Sequence, residues 1–193
     1  MRTFILYSRR ARTDSRFSIE DLLDSGGRMD VVCSCITSAL WLSHKTREDT
    51  NFILVMNGPP NPPVTIWFDG SKLLKVYVDE KTNAMWVKKL LSFKFGKEWK
   101  EISGTKISRK SFQEVLKELD GKVYVLHEKG TPIKDVEIEE NPIFVCGDNI
   151  GIPHAEEKFL INRGAQKVSL GKKVYLATSC ISTLNWICDQ RGI

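Results

Sequence analysis

Residues 143–180 constrain the fold of this chain more than any other stretch. They open with a short apolar run, Ile143-Phe144-Val145-Cys146, which passes into the glycine turn Gly147-Asp148-Asn149-Ile150-Gly151. Pro153 then suits the first turn of a helix. The same pattern follows at once. A strand is expected over 167–170, a tight turn at Gly171-Lys172-Lys173, a short apolar run, and a last helix from about Ser179. Two such turns, close in sequence, fit neighbouring strands that end on one edge of a parallel sheet, where α/β proteins bind ligands.

The rest of the 193 residues agrees with a single α/β domain over 1–193, with a small hairpin-containing insertion near 57–105. Residues 3–8 and 51–56 read as buried strands. The apolar spacing of Met29, Val32, Cys33, Ile36, Ala39 and Leu40 predicts a helix over 29–44. The proline cluster at 57–63 reads as a rigid turn, and residues 64–68 and 73–78 as the arms of a hairpin around Asp69-Gly70-Ser71-Lys72. Helices are expected over 82–95 and, capped by Ser108, to about 119, followed by a strand at 122–126. The acidic segment 135–141 is expected to cross the surface.

A net charge of +5 favours polyanionic partners. It is concentrated early, where Ser8-Arg9-Arg10-Ala11-Arg12-Thr13-Asp14-Ser15-Arg16 places four arginines within eight positions. That run is either a solvated loop or a phosphate-contacting one. Cys33, Cys35, Cys146, Cys180 and Cys188 include no Cys-x-x-Cys and no nearby histidine pair, which argues against a zinc site or a disulfide framework. No metal is expected. His44, His127 and His154 are scattered, so no base can be assigned to activate a cysteine. No apolar run is long enough for a membrane span, and residues 1–5 lack a signal peptide's apolar segment, so a cytoplasmic protein is expected.

Three strand-to-turn junctions, at 125–130, 144–153 and 168–176, carry neither Gly-x-Gly-x-x-Gly nor a P-loop. As ordinary connections they need no ligand. As a site they can hold an adenosine through main-chain groups, with Leu126, Ile150, Ile152, Leu170 and Leu176 around the ring. Gly26-Gly27-Arg28-Met29-Asp30 opens the first helix. There Asp30 and Arg28 are either a dipole-matched pair on the surface or a proton acceptor beside an oxyanion-stabilising cation.

The segments 4–13, 26–30, 147–153 and 168–171, together with Cys180 on the final helix, resemble the archaeal tRNA pseudouridine N1-methyltransferases (TrmY type) of the SPOUT superfamily. The likeness runs over essentially the whole chain. Residues 177–179 depart from a His-containing version seen in that family. The resemblance implies a SPOUT fold, a mostly parallel sheet with helices on both faces and a C-terminal deep trefoil knot. It implies S-adenosylmethionine held by Leu126, Gly147, Ser169, Leu170, Gly171, Lys172, Lys173, Val174, Leu176 and Cys180. Arg28 and Asp30 then serve the target base, and Arg9, Arg10, Arg12 and Arg16, with Lys106, Arg109 and Lys110, the phosphates. The implied activity is methylation of N1 of the pseudouridine at position 54 in the tRNA T-loop, by a homodimer. Methylation of another RNA such as rRNA, or a scaffold role in RNA binding, is the alternative.

Overall fold

The computed structural model describes residues 1–74 and 76–193. Along these run β1 (Arg2–Ser8), α1 (Met29–Leu40), β2 (Thr50–Met56), β3 (Val64–Asp69), α2 (Glu80–Ser92), β4 (Lys100–Ile102), β5 (Thr105–Ser108), α3 (Phe112–Glu118), β6 (Val123–Pro132), β7 (Ile143–Gly147), α4 (His154–Asn162), β8 (Gln166–Ser169) and α5 (Ala177–Arg191). All the strands join one sheet in the order β4-β5-β3-β2-β1-β7-β6-β8. The five strands from β2 to β8 in that order are parallel, and β3, β5 and β4 extend the sheet in antiparallel fashion beyond β2.

β1 and β2 are buried along their whole length, as central strands covered on both faces must be. Side chains alternate across β1. Phe4 and Leu6 enter a core formed with α1, α2 and α5, whereas Ile5 and Tyr7 enter a second core with α3 and α4. Helices therefore cover both faces, as expected. Each fully buried Leu, Ile or Phe in these layers stabilises the fold by about 1.5–3 kcal/mol.

Several local expectations change. α1 stops at Leu40, because Trp41 is extended (φ −103°, ψ 137°), and does not reach His44. α3 is capped by Ser111. Its side chain accepts from the Glu114 N–H while the Glu114 carboxylate accepts from the Ser111 N–H, a reciprocal pair that Ser108, buried in β5, cannot make. The turn at 69–72 forms, with the Lys72 N–H donating to the Asp69 carbonyl at 2.9 Å. The hairpin expected around it does not. Both edges of β3 are taken, Ile66 lying opposite Leu54 of β2 and Ile107 of β5. Of the expected second arm, 73, 74 and 76–78 are not strand, and Lys75 lies outside the described residues. The segment 135–141 is also less superficial than its charge suggests: Val136 and Ile138, alternating with acids, are buried.

The two ends of the chain are joined beneath the sheet. Arg2, only 3% exposed, donates to Asp189 at 2.8 Å, Asp49 at 2.9 Å and the Ile193 carbonyl at 2.8 Å. Arg47 donates to both Asp189 oxygens, at 2.9 and 2.6 Å. Its hydrogen bonds, more than those of Arg2, hold the Asp189 carboxyl below the usual range. Asp189→Asn leaves two mostly buried guanidinium groups short of a charge and should cost about 2–3 kcal/mol, less than a fully buried pair because Asp189 is partly exposed. A lowered folded-state value means that this contribution is complete above the ordinary Asp value near 3.9 and is lost as the pH falls below it. The gap in urea midpoint between wild type and Asp189→Asn should therefore close on moving from about pH 6 to below about pH 3.

Candidate active site

Parallel strands bring their C-terminal ends to one edge, and a cavity of about 890 Å³ opens there over β7, β6 and β8. The three turns that are separate in sequence meet in it. Leu126 comes from β6, the Gly147 turn from β7, Ser169 from the end of β8, and Leu170, Lys173, Val174 and Leu176 from the segment after it. Cys180 and Thr178 close it from the start of α5. Gly171 and Lys172, expected in the same cradle, do not line it. The Ser169 hydroxyl donates to the Gly171 carbonyl at 2.9 Å and accepts its N–H at 3.2 Å, folding the tip of the turn away as a local loop.

Arg28 and Asp30 face the same cavity from α1. Arg28 holds Asp30 through two parallel hydrogen bonds, Nε to Oδ1 at 3.0 Å and Nη2 to Oδ2 at 2.9 Å. Both side chains are about a quarter exposed. Arg28 is also left-handed (φ 71°, ψ 35°), a backbone conformation that is uncommon outside glycine and concentrates at functional sites. Gly27 shares that hand (φ 62°), and a Cβ there would lie 2.0 Å from the Arg10 carbonyl oxygen. Only glycine allows the arginine loop to lie against the start of α1.

Asp148, whose part the sequence did not disclose, joins these pieces. It is 8% exposed and lines the cavity. Its Oδ2 accepts from the Arg9 N–H at 2.7 Å and the Ser8 hydroxyl at 3.2 Å, and its Oδ1 from the Ile150 N–H at 3.0 Å. Ser34, one helical turn beyond Asp30, also lines the cavity. The 30/34 spacing was its one available signal.

The arginine loop lies beside the cavity and contributes no lining. Arg9 and Arg10 are exposed, whereas Arg12 is committed to Asp14 by two hydrogen bonds of 2.8 and 2.9 Å, which hold the Asp14 carboxyl low. Arg16 is 88% exposed, 4.0 Å from Asp14. Of the three further cations expected at phosphates, Lys106 and Lys110 lie over Trp67 and Trp99, and Lys110 pairs with Glu118. Burial pushes the Cys180 thiol up, away from the lowered values of reactive cysteines. Among the described residues no three His, Cys, Asp or Glu side chains cluster so as to hold a metal ion, and no helix is long and apolar enough to cross a membrane.

The whole chain, residues 1–193, matches the family described as "Putative SAM-dependent RNA methyltransferase". It belongs to that family. It is 40% identical over 193 residues to the tRNA (pseudouridine(54)-N(1))-methyltransferase of Methanocella arvoryzae, covering 99% of this chain and all of that one. Against the enzyme of the same name from Methanocaldococcus jannaschii it is 39% identical, covering 100% of this chain and 98% of that one. Among solved structures, Archaeoglobus fulgidus Nep1 bound to S-adenosylhomocysteine superposes with a TM-score of 0.64 at 13% identity, covering 98% of this chain and 97% of that one. The two chains share a fold.

The family's cofactor is S-adenosylmethionine, and the cavity suits it. Its volume falls within the range of cofactor sites, its apolar lining includes Leu126, Val168, Leu170 and Leu176, and its turns offer main-chain groups. Gly147 has no room for a side chain, since a Cβ would lie 2.6 Å from the Gly151 carbonyl carbon. Gly147→Ala must displace the turn at 147–151, and S-adenosylmethionine affinity measured by calorimetry should fall tenfold or more, about 1.4 kcal/mol.

Proposed function

We propose that this protein transfers the methyl group of S-adenosylmethionine to N1 of the pseudouridine at position 54 of tRNA, in the cytoplasm. The observation that carries the proposal is the Arg28–Asp30 pair facing the cavity formed by the three strand-end turns. It puts a carboxylate and a guanidinium within one volume with the cofactor cradle. The relatives named for this reaction match the chain from end to end.

Pseudouridine is joined to ribose through carbon, so its N1 carries a hydrogen and is a poor nucleophile until that proton leaves. Bound S-adenosylmethionine supplies an electrophilic methyl group on a sulfonium centre. Asp30 accepts the N1 proton. Each carboxylate oxygen has more than one acceptor site, so it can do this while still held by Arg28. Arg28 stabilises the negative charge that spreads from N1 to the neighbouring carbonyl oxygen. Leu126 and Leu170 exclude water from the inner wall, and the backbone of 147–151, Ser169, Leu170, Lys173 and Val174 fixes the direction of approach. The base must leave its stack to enter, as single-stranded loop bases do. Arg9 and Arg10, and less so Arg12, bind the phosphates outside.

The same reading takes the protein as a homodimer with a knotted C-terminal part. Val174 (81% exposed), Leu176 (74%) and Trp186 (62%) leave apolar surface bare beside the cavity and along α5, which a second copy would cover. Val168 pairs with both Leu126 and Thr131, an irregularity that takes residues 127–130 of β6 out of the ladder.

Incubating tRNA bearing pseudouridine 54 with labelled S-adenosylmethionine, then digesting it for mass spectrometry, should place the label on N1 of that residue. Label at another nucleotide, or in rRNA alone, would overturn the assignment. Asp30→Asn should lower the single-turnover methylation rate by about 10²–10⁴-fold with cofactor and tRNA binding retained. Replacing Arg9 and Arg10 together by alanine should flatten the log–log salt dependence of tRNA binding by about 0.7–0.9 for each phosphate that these two side chains neutralise.

A further inference from the structure

A second cleft of about 330 Å³ lies on the far side of the arginine loop. One wall is Thr13 to Arg16, the other is Phe93, Lys94 and Phe95, and Arg109 and Asn61 close the end. It sits on the same edge of the sheet as the main cavity: Ser8 ends β1 opposite Met56, Met56 pairs with Val64, and Thr65 with Ser108. Going from β1 through β2 and β3 to β5 crosses three strand spacings, about 14 Å. The loop of residues 8–16 spans the start of that distance, touching the main cavity through Asp148 and the second cleft through Asp14 and Arg16.

The cleft is built firmly. The Thr13 hydroxyl donates to the Gly58 carbonyl at 3.2 Å and accepts the Asn61 N–H at 3.0 Å, fixing the loop on the proline turn. Arg109 lies over the Phe95 ring, 5.3 Å from its centroid, and gives one of its five N–H groups to the Asn61 carbonyl at 2.8 Å. Three cations, Arg16, Lys94 and Arg109, face a single carboxylate, Asp14, which Arg12 already holds. Phe93 and Phe95 are half-buried. Cations and aromatic rings on a narrow wall are what an unpaired nucleotide needs, charge for its phosphate and a flat surface for its base.

We propose that this cleft binds a second, unstacked nucleotide of the RNA whose target base enters the main cavity, so that the strand is held at two points on one sheet edge. Arg16, Lys94 and Arg109 contact its phosphate, and its base packs on Phe95 and the Arg109 plane. The inference rests on the reading of the chain as a tRNA methyltransferase and deepens it.

The test is a charge reversal, Arg16→Glu with Lys94→Glu, both exposed and neither holding the fold. Its control is Lys45→Glu with Lys117→Glu, the same change of charge at the opposite end of the sheet. Labelled tRNA with pseudouridine 54 is titrated by anisotropy over a salt series, beside S-adenosylmethionine calorimetry and methylation kinetics. The cleft variant should bind tRNA ten- to a hundredfold more weakly, with a shallower salt slope and a raised KM, while cofactor affinity holds and the control stays near wild type. A cleft variant that binds like wild type, or a control that weakens as much, overturns the proposal. Wild-type protein that binds the tRNA without methylating it overturns the substrate assignment alone, and the cleft then stands or falls on the same comparison of affinities.

Discussion

The site depends on one buried carboxylate. Asp148 accepts hydrogen bonds from the end of β1 and from its own turn after β7, and its N–H returns one to the Tyr7 carbonyl at 3.0 Å. A buried carboxylate is costly unless its lone pairs are satisfied, and here main-chain N–H groups and a serine hydroxyl satisfy them. The consequence is mechanical. The arginine loop leaves β1 and the cavity turn leaves β7, and Asp148 holds both departures in one arrangement, so loop and turn cannot move independently at that point.

Around this joint the sheet sets distances. The parallel strands β1, β7, β6 and β8 carry their turns to one edge, and the antiparallel extension through β3 and β5 carries Arg109 to the same edge by reversing the chain twice. The opposite edge is closed by ions: Arg2, Arg47, Asp49 and Asp189 bind the first strand to the last helix. One end of the sheet is a rigid fastening and the other a set of loops around a cavity. That division lets backbone turns act as a binding surface, since their positions are imposed from beneath.

Much of the site was legible in the sequence because its signals are local. Gly147 and the turn at 171–173 announce turns, Gly26-Gly27 announces a tight approach, and the apolar period of 29–40 announces α1. What was missed involves competition between distant partners. Residues 64–78 looked like a hairpin because turn chemistry is local, yet both edges of β3 are taken, by β2 and β5. Ser108 looked like a cap, yet it was drawn into β5 while Ser111, three residues before Glu114, formed the reciprocal cap. Gly171 and Lys172, which the resemblance puts in the cradle, do not line the cavity, where the Ser169 hydroxyl and the Gly171 backbone bond to each other.

By itself the sequence determined the α/β class, most strand and helix segments of the C-terminal half, though not the run of β6 through 127–130 to Pro132, and the residue types available for proton transfer and phosphate contact. These follow from periodicity, turn residues and side-chain chemistry, all properties of a few neighbouring positions. Only the tertiary structure decided that Arg28 and Asp30 share a cavity with turns far along the chain, that Asp148 joins the arginine loop to the turn after β7, and that Arg109 lines the second cleft while Lys106 and Lys110 lie over Trp67 and Trp99. Those facts depend on strand order, and strand order is set by which buried edges pair best, a comparison over the whole chain that no single segment contains.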